Sequence, residues 1–189
     1  RGYKYAICFI DEYTGYCHVD YLKLKNADLV KAAFERFQRL HSKYLKDGKV
    51  TEWHTDFGGE FTSNNLNDFC DEIAVKRTYS LPYSSNTNAK AERLWGLLLR
   101  PMRAMLADSN LPITLWPQAM EQAVQLHNRL PTTRHSGCIS PYQALTGLLP
   151  DLTKFRVFGC RIMYNIPKRE LRGKLGPRSL EAINLGLDP

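Results

Sequence analysis

Residues 53–61 read WHTDFGGEF, and residues 86–93 read NTNAKAER. The first stretch predicts a short strand that delivers Asp56 into a glycine-rich loop, and the second predicts the start of a long basic helix that carries Glu92. Thirty-five residues lie between the two carboxylates. A strand end and a helix start present side chains rigidly, as a shared divalent metal site requires. This pair therefore suggests a metal site suited to phosphodiester chemistry on DNA.

Each of these carboxylates also has a plainer interpretation. Asp56 alone fits a turn residue before Gly58, and Glu92 alone fits an exposed charge on a helix. The two local contexts together favour the metal site. Mg²⁺ binds through few protein ligands and keeps several waters, so two or three carboxylates suffice to hold it.

The composition predicts one folded core and a polyanionic partner. The chain has 189 residues, 43% of them hydrophobic, with no apolar run long enough to span a membrane and no secretory segment. Its net charge of +7 favours binding to a polyanion, although a solvated basic surface gives the same number. Residues 151–189 hold eight Lys and Arg against four Asp and Glu, so the basic excess is concentrated there.

The five cysteines are odd in number, and no two of them have the CxxC spacing. This pattern argues against a disulfide framework and a zinc site, and it fits a reducing compartment. Because the chain begins with Arg1 at the edge of a predicted strand, we interpret it as a piece of a longer protein.

Hydrophobic periodicity predicts the order β-β-α-β-α-β-α-α, and hence a mixed sheet with helices on both faces. The predicted elements are a doubly covered strand at 3–10, a half-exposed strand at 16–22, a helix capped by Asn26 or Asp28 that ends near 44, a strand at 49–55, a helix capped by Ser63, a strand at 75–79, a mobile loop at 80–87, a helix at 88–108 kinked by Pro101, and a helix at 115–129. After Arg129 the pattern predicts at most one short helix in 131–152, a strand or hairpin in 155–166, and a last strand near 182–187.

An ordered series of short motifs runs along the whole chain. They are FIDEYTGY at 9–16, HTDFGGEF at 54–61, NAKAER at 88–93, LP at 111–112 with Trp116 and Ala119, NRLP at 128–131, PY at 141–142, VFGC at 157–160, KLGPR at 174–178 and LGL at 185–187. With these motifs the chain resembles the integrase catalytic core of retroviruses and LTR retrotransposons, most closely the copia-like group. No single motif is decisive, but the ordered series is highly specific and covers essentially all 189 residues.

The resemblance implies an α/β, RNase H-like fold. We expect a mixed sheet flanked by helices in residues 1–130, followed in 131–189 by a linker and a small basic β-rich C-terminal extension. In the family's D, D-35-E triad, Asp56 would be the second carboxylate and Glu92 the third. Both would be catalytic and would bind Mg²⁺ or Mn²⁺, with two ions in the complete site.

Two parts of the family pattern are missing from the chain. The first carboxylate belongs to a stretch reading roughly Asp-x-x-Gly-Pro, on a core strand upstream of residues 3–10, and the family's zinc module lies further upstream. Asp11 ends a predicted strand, and we interpret it as a turn residue rather than the missing ligand. The group also has Gly where this chain has Ala89, which puts the flexibility of the preceding loop in question.

The expected DNA-binding residues fall into two groups, which contact phosphates without reading bases. They are Asn88, Lys90, Arg93, Arg100 and Arg103 at the second motif, and Lys168, Arg169, Arg172 and Lys174 in the extension. A solvated helix face is the alternative for Arg100 and Arg103, and packing of residues 157–166 on the core is the alternative for the extension. Trp53 and Trp116 are predicted to be core residues, whereas Trp95 fits either role.

The resemblance implies that the complete protein inserts element cDNA into host DNA, by 3′-end processing and then strand transfer. It would be a polynucleotidyl transferase that self-associates and binds no membrane, intracellular and acting in the nucleus. The chain as given would be inactive because it lacks the first carboxylate. A domesticated or remnant domain that binds nucleic acid without catalysis is the alternative, and an RNase H-type nuclease is a third.

Overall fold

The computed structural model describes residues 2–80, 89–134, 137–170, 173 and 176–187, with the backbone alone at 89, 90 and 168. The elements are β1 (Tyr5–Ile10), β2 (Cys17–Leu22), α1 (Ala27–His41), β3 (Glu52–Thr55), α2 (Asn64–Glu72), β4 (Lys76–Tyr79), α3 (Ala89–Ser109), α4 (Trp116–Arg129), α5 (Pro141–Thr146), β5 (Arg161–Asn165) and β6 (Ser179–Ile183). The predicted element order is confirmed through α4. No helix of the described residues is both long and apolar enough to cross a membrane.

β1 and β2 form an antiparallel hairpin in which Tyr5 lies opposite Leu22 and Ile10 opposite Cys17. The side chain of Asp11 closes its turn, because Oδ2 accepts hydrogen bonds from the amide of Thr14 at 2.7 Å and from its hydroxyl at 2.6 Å. Asp11 is therefore a turn residue, as predicted.

The hairpin is covered on both faces, so the prediction that β2 is half-exposed is wrong. One face packs with α1, α2 and β3 in a cluster that includes Phe9, Phe34 and Trp53. The other face packs with α3 and α4 in a cluster that includes Leu98 and Met120. The alternating pattern of β2 misled because its polar residues, His18 and Asp20, pack against α1. Asp20, for example, is 6% exposed and accepts two hydrogen bonds from Arg36, at 2.7 and 2.9 Å, and one from the amide of Tyr21 at 2.9 Å.

β3 and β4 form a parallel pair connected through α2, with Thr55 opposite Tyr79. As predicted, Ser63 caps α2 by accepting a hydrogen bond from the amide of Leu66. Because both strands end at the same edge, Asp56 and Ser80 leave the pair side by side. Beyond Ser80, the predicted mobile loop lies outside the described residues.

The predicted α/β class is confirmed, but the described strands form three two-stranded sheets rather than one continuous mixed sheet. β1 bonds to β2 and β3 bonds to β4, while no described strand joins β1 to β3. Residues of β1 and β3 instead line one cleft of about 210 Å³. Paired strands lie about 4.8 Å apart and leave no cleft between them, so β1 and β3 do not pair directly.

α3 continues through Pro101 as one α-helix. Proline lacks an amide hydrogen, so the carbonyl of Leu97 loses its intrahelical partner there. Leu97 is exposed, and water can satisfy that carbonyl. The predicted kink at Pro101 stays a prediction.

Contacts at the end of α4 fix this helix on the hairpin and hold the segment that follows it. Asn128, buried at the end of α4, accepts a hydrogen bond from the amide of Cys17 at 2.9 Å and donates one to its carbonyl at 2.7 Å. Arg129 lies over the rings of Tyr142 and Phe155. The short helix predicted for 131–152 is confirmed as α5, which Ser140 caps. The division of domains at residue 130 stays a prediction.

The last two predicted strands are displaced. The strand signal at 155–166 is confirmed only for β5, and the last strand is β6, which ends four residues before Leu187. Phe158 is buried in the α3–α4 cluster, and Gly159 has a positive φ of 80°. A methyl group on Gly159 would overlap the Cβ of Ser109, so the backbone touches α3 there and cannot continue as a strand.

The half-buried His18 of β2 and the buried His41 of α1 form a pair with ring centres 5.2 Å apart. The Nε2 atoms of both are buried and accept no hydrogen bond from a described residue. Burial lowers the pKa of His18 to about 4, with a further contribution from the charge of Arg36. Burial, then the charge of His18, lowers the pKa of His41 to about 4.

This pair predicts acid sensitivity below the ordinary histidine pKa of about 6.5. The folded state holds both rings neutral, so stability is complete above that value and is lost as the pH falls towards 4. We expect the melting temperature to drop by roughly 5–10 °C between pH 6.5 and pH 4.5, and the double variant His18→Phe, His41→Phe to lose much less. Thermal unfolding across this range measures the difference. An unchanged acid loss in the double variant would assign it to other groups.

Candidate metal and nucleic-acid site

Asp56 stands directly after β3, with its side chain exposed to solvent. Its Oδ1 accepts a hydrogen bond from the amide of Gly58 at 3.0 Å, whereas Oδ2 accepts none from the described residues. The backbone therefore orients one oxygen and leaves the other available. This is the geometry of a carboxylate that can take a ligand without first losing a protein partner.

A second carboxylate that the sequence analysis missed lies beside Asp56. A methyl group on Gly58 would be 3.0 Å from Oε2 of Glu60 and 3.1 Å from Oδ1 of Asp56, so both oxygens flank the same glycine. Oε1 of Glu60 forms an ion pair with Nζ of Lys25 at 3.8 Å. In the sequence, only the spacing D-x-G-x-E indicated that Glu60 lies near Asp56. No pattern indicated its ion pair with Lys25.

Asp56 and the helix that carries Glu92 border the same cleft. Besides β1 and β3, the cleft is lined by Glu60, by Lys25, and by Ala91 and Trp95 from the first turns of α3. Glu92 lies beside Ala91 and is exposed. The two predicted metal ligands, with 35 residues between them in the chain, thus come from elements that meet at one opening. Trp95, which fitted either role, is half-buried and packs on the α3–α4 cluster.

The donor set fits a hard divalent cation. Asp56 and Glu92 offer exposed carboxylate oxygens, which Mg²⁺ prefers, and their exposure leaves room for the waters that Mg²⁺ retains. Glu92 forms no ion pair with any described residue. Within the described ranges, no group of three or more His, Cys, Asp or Glu side chains is arranged to hold a metal.

The predicted DNA-binding residues on α3 are partly described. Arg93, Arg100 and Arg103 are exposed, and none of them pairs with an acid in the part of the chain that the structure describes. The backbone of Lys90 lies in the first turn of α3. Asn88 lies outside the described residues.

Of the predicted DNA-binding residues in the extension, only Arg169 is described with its side chain. Arg169 is exposed, and its Nε lies 3.4 Å from the carboxylate of Glu170, which neutralises part of its charge. Lys168 is described by its backbone in a short 3-10 turn, and Arg172 and Lys174 lie outside the described residues. Their contact with DNA stays a prediction.

The two tryptophans predicted to lie in the core do so. Trp53 is 8% exposed and stacks on Phe34 with ring centres 4.4 Å apart. Trp116 is partly buried and meets Tyr21 edge to face at 5.5 Å. The ring of Trp53 is therefore not free to act as a platform for a base.

Arg77 of β4 is a further residue that the sequence analysis missed. Its guanidinium lies within hydrogen-bonding distance of Thr55 and Phe61, the residues on either side of the loop that carries Asp56. Its neighbours come from four separate stretches of chain, so no local pattern announced it.

The chain resembles parts of two transposon polyproteins. It is 30% identical over 187 residues to the "Retrovirus-related Pol polyprotein from transposon TNT 1-94" of Nicotiana tabacum, a match that covers 98% of the chain and 14% of that protein. It is 31% identical over 185 residues to the "Retrovirus-related Pol polyprotein from transposon RE1" of Arabidopsis thaliana, covering 98% of the chain and 12% of that protein. The chain thus spans a small part of the relatives it matches. No family model matches it.

Solved structures with the same fold are retroviral integrases. The HTLV-2 integrase catalytic core domain in complex with magnesium, in its trimeric form, has a TM-score of 0.57 at 22% identity and covers 73% of this chain and 82% of its own. The simian T-cell lymphotropic virus intasome in complex with the PP2A regulatory subunit B56 gamma has a TM-score of 0.64 at 16% identity, covering 94% of this chain and 62% of its own. The chain is related to retrotransposon Pol polyproteins. Its fold is that of the retroviral integrase cores, so the predicted RNase H-like fold is confirmed.

Gly58, which lies between the carboxylates of Asp56 and Glu60, provides a test of the site. Gly58→Ala places a methyl group against the tips of two flexible side chains, which can move aside, so the fold should survive while both carboxylates shift. We expect the affinity for Mn²⁺, titrated at millimolar concentration, to fall about tenfold, or 1.4 kcal/mol. Gly59→Ala is the matched control, because no atom lies within 4 Å of its methyl group. Equal affinities in the two variants would contradict the site.

Proposed function

We propose that the chain is the metal- and DNA-binding core of a retrotransposon integrase. In the longer protein it would trim the 3′ ends of element cDNA and join them to host DNA. The observation that carries the proposal is that Asp56 and the first turns of α3, which bear Glu92, border one cleft. Asp56 directly follows β3 and Glu92 lies in the first turn of α3, and both are exposed to a ligand.

The two reactions exchange phosphodiester bonds without a covalent protein intermediate. In trimming, water attacks a phosphodiester near the cDNA end and leaves a free 3′-hydroxyl. In joining, that hydroxyl attacks a target phosphodiester in line, and the 3′-oxygen of the target strand leaves. Asp56 and Glu92 would hold Mg²⁺ or Mn²⁺, which supply charge stabilisation to the attacking and leaving oxygens. The amide of Gly58 orients Asp56 for this role.

Two carboxylates make an incomplete site, and the fold has room for the third. β1 and β3 each have one edge without a partner among the described strands, and both edges line the cleft that contains Asp56. A strand supplied by upstream residues of the longer protein could pair there and bring the first carboxylate to the cleft. Two ligands alone hold Mg²⁺ weakly, because each lost charge removes attraction that offsets its dehydration.

The DNA would lie along the exposed face of α3. Arg93, Arg100 and Arg103 are free of described acids and can contact phosphates, which carry no sequence information. The retroviral core named above has dimeric and trimeric forms, and self-association of the longer protein is part of the proposal. We place its action in the nucleus, where host DNA is found.

A strand-transfer assay tests the catalytic role. The 189 residues alone should show no Mg²⁺-dependent joining of DNA ends, whereas a longer polypeptide that includes the upstream strand should be active. In that polypeptide Asp56→Asn and Glu92→Gln should each lower joining by about a thousandfold or more. Asp68→Asn, which removes an exposed carboxylate on α2, should leave activity unchanged.

Two outcomes would change this assignment. Robust joining by the 189 residues that is lost on Asp11→Asn would make Asp11 the first ligand. An inactive longer polypeptide that still binds DNA would favour the second candidate, a nucleic-acid-binding domain without catalysis.

Salt dependence tests the DNA-binding residues. Removing one phosphate contact lowers the slope of log K against log salt by about 0.9 on duplex DNA. Arg93→Ala, Arg100→Ala and Arg103→Ala should each show this change alike on all sequences, and so should charge reversal at Lys168, Arg169, Arg172 and Lys174. Arg39→Ala, an exposed change on α1, is the control. Unchanged slopes for one group of residues would exclude that group from the interface.

A further inference from the structure

Arg77 is a half-buried cation at the centre of four elements. From β4, its Nη2 donates hydrogen bonds to the carbonyl of Phe61 at 2.9 Å and to the hydroxyl of Thr55 at 3.3 Å, and its Nη1 reaches the sulfur of Cys70 in α2 at 3.7 Å. Thr55 immediately precedes Asp56, and Phe61 ends the loop that follows it. One side chain therefore holds both ends of the loop that carries Asp56.

The guanidinium is also held by aromatic rings. Its central carbon lies 4.7 Å from the ring centre of Trp53 and 5.1 Å from that of Tyr79. Tyr79 stacks on Phe57 with ring centres 5.0 Å apart and planes 20° from parallel. Phe57 follows Asp56 directly. Through this stack Arg77 connects the residue after Asp56 to Trp53, which is fixed in the core.

A merely space-filling residue at this position would not need a charge. No carboxylate of the described residues pairs with Arg77, and its Nε is buried without a described partner. Burying a cation without an acid is costly unless its donors and its face are otherwise engaged. Here a carbonyl, a hydroxyl and two rings engage them. Only the planar fork of arginine can stack and donate in several directions at once; lysine cannot.

We infer that Arg77 is a positioning residue, which fixes the place of the Asp56 carboxylate through the loop of residues 57–61. Among the described residues, Asp56 itself is bonded only by the amide of Gly58. The position of Asp56 therefore depends on the position of this loop, and Arg77 holds both ends of the loop on the core. The role in catalysis rests on the proposed function, whereas the hold on the loop does not.

Amide hydrogen exchange in the 189-residue chain tests the hold on the loop. The amide of Gly58 is bonded to Asp56 Oδ1, and that of Phe61 to the carbonyl of Gly58 at 2.8 Å, so both report on the loop. We expect Arg77→Lys to speed exchange at both amides by about tenfold or more, with the β3–β4 ladder unchanged. Lys76→Gln is the matched control, since Lys76 is the exposed neighbour on β4. Unchanged exchange at Gly58 and Phe61 would overturn the inference.

Strand transfer by the longer polypeptide tests the consequence for catalysis. Arg77→Lys should lower kcat by about ten- to hundredfold, the effect of misplacing a reacting group by about an ångström. It should raise the half-saturating Mg²⁺ concentration and leave KM for DNA within about twofold, a split that a general loss of folding would not give. An unchanged kcat and Mg²⁺ requirement would refute the positioning role. An inactive wild type would refute the proposed function instead, while the exchange experiment would still decide whether Arg77 holds the loop.

Discussion

The β1–β2 hairpin is buried on both faces, and the rest of the fold follows from that constraint. A two-stranded ribbon alone is marginal in water, so each of its faces needs a layer of helices. α1 and α2 supply one layer, and α3 and α4 supply the other. Some backbone groups between the layers are then satisfied by side chains. The amide of Asn128 meets both backbone groups of Cys17, much as a neighbouring strand would.

The same layering places the candidate site. α3 must lie across the hairpin to bury Leu94 and Leu98, and this brings its first turns to the cleft beside β3. β3 must bury Trp53 and Thr55, and this places Asp56, the residue after the strand, at the open end of that cleft. The nearness of the two elements is thus a consequence of core packing. Apolar contacts therefore determine where the two elements lie, and the residues at that position determine its chemistry.

Features written in short local patterns could be predicted from the sequence. The caps at Asn26 and Ser63 and the helical spacing of α1 and α4 each depend on residues only a few positions apart. The positions of Asp56 and Glu92 on their elements belong to the same class. Features that depend on a distant partner could not be predicted. Asp20 looked solvent-facing because Arg36, which neutralises it, lies sixteen residues away on a helix.

The site shows the same limit. Glu60 and Lys25 meet only because a loop and a strand end converge, and Arg77 collects its neighbours from β3, α2, β4 and the loop between them. The C-terminal strands shifted for a related reason. Phe158 fits the strand pattern by composition, but its ring packs in the α3–α4 cluster. The chain then bends at Gly159, which has a positive φ. Such packing depends on residues far away in the chain, which hydrophobic periodicity does not record.

The two hydrophobic clusters have only the hairpin in common, and this affects how the molecule comes apart. The first cluster is built from residues 7–75, and the second from residues 17–19 of β2 together with 94–158. Each can lose its order while the other keeps most of its contacts, so the two halves are natural units of partial unfolding. Trp53 reports on the first half, and Trp95 and Trp116 report on the second. Denaturation followed by these fluorophores separately would then give two midpoints, and the cooperativity of the whole chain would be measured by how closely they coincide.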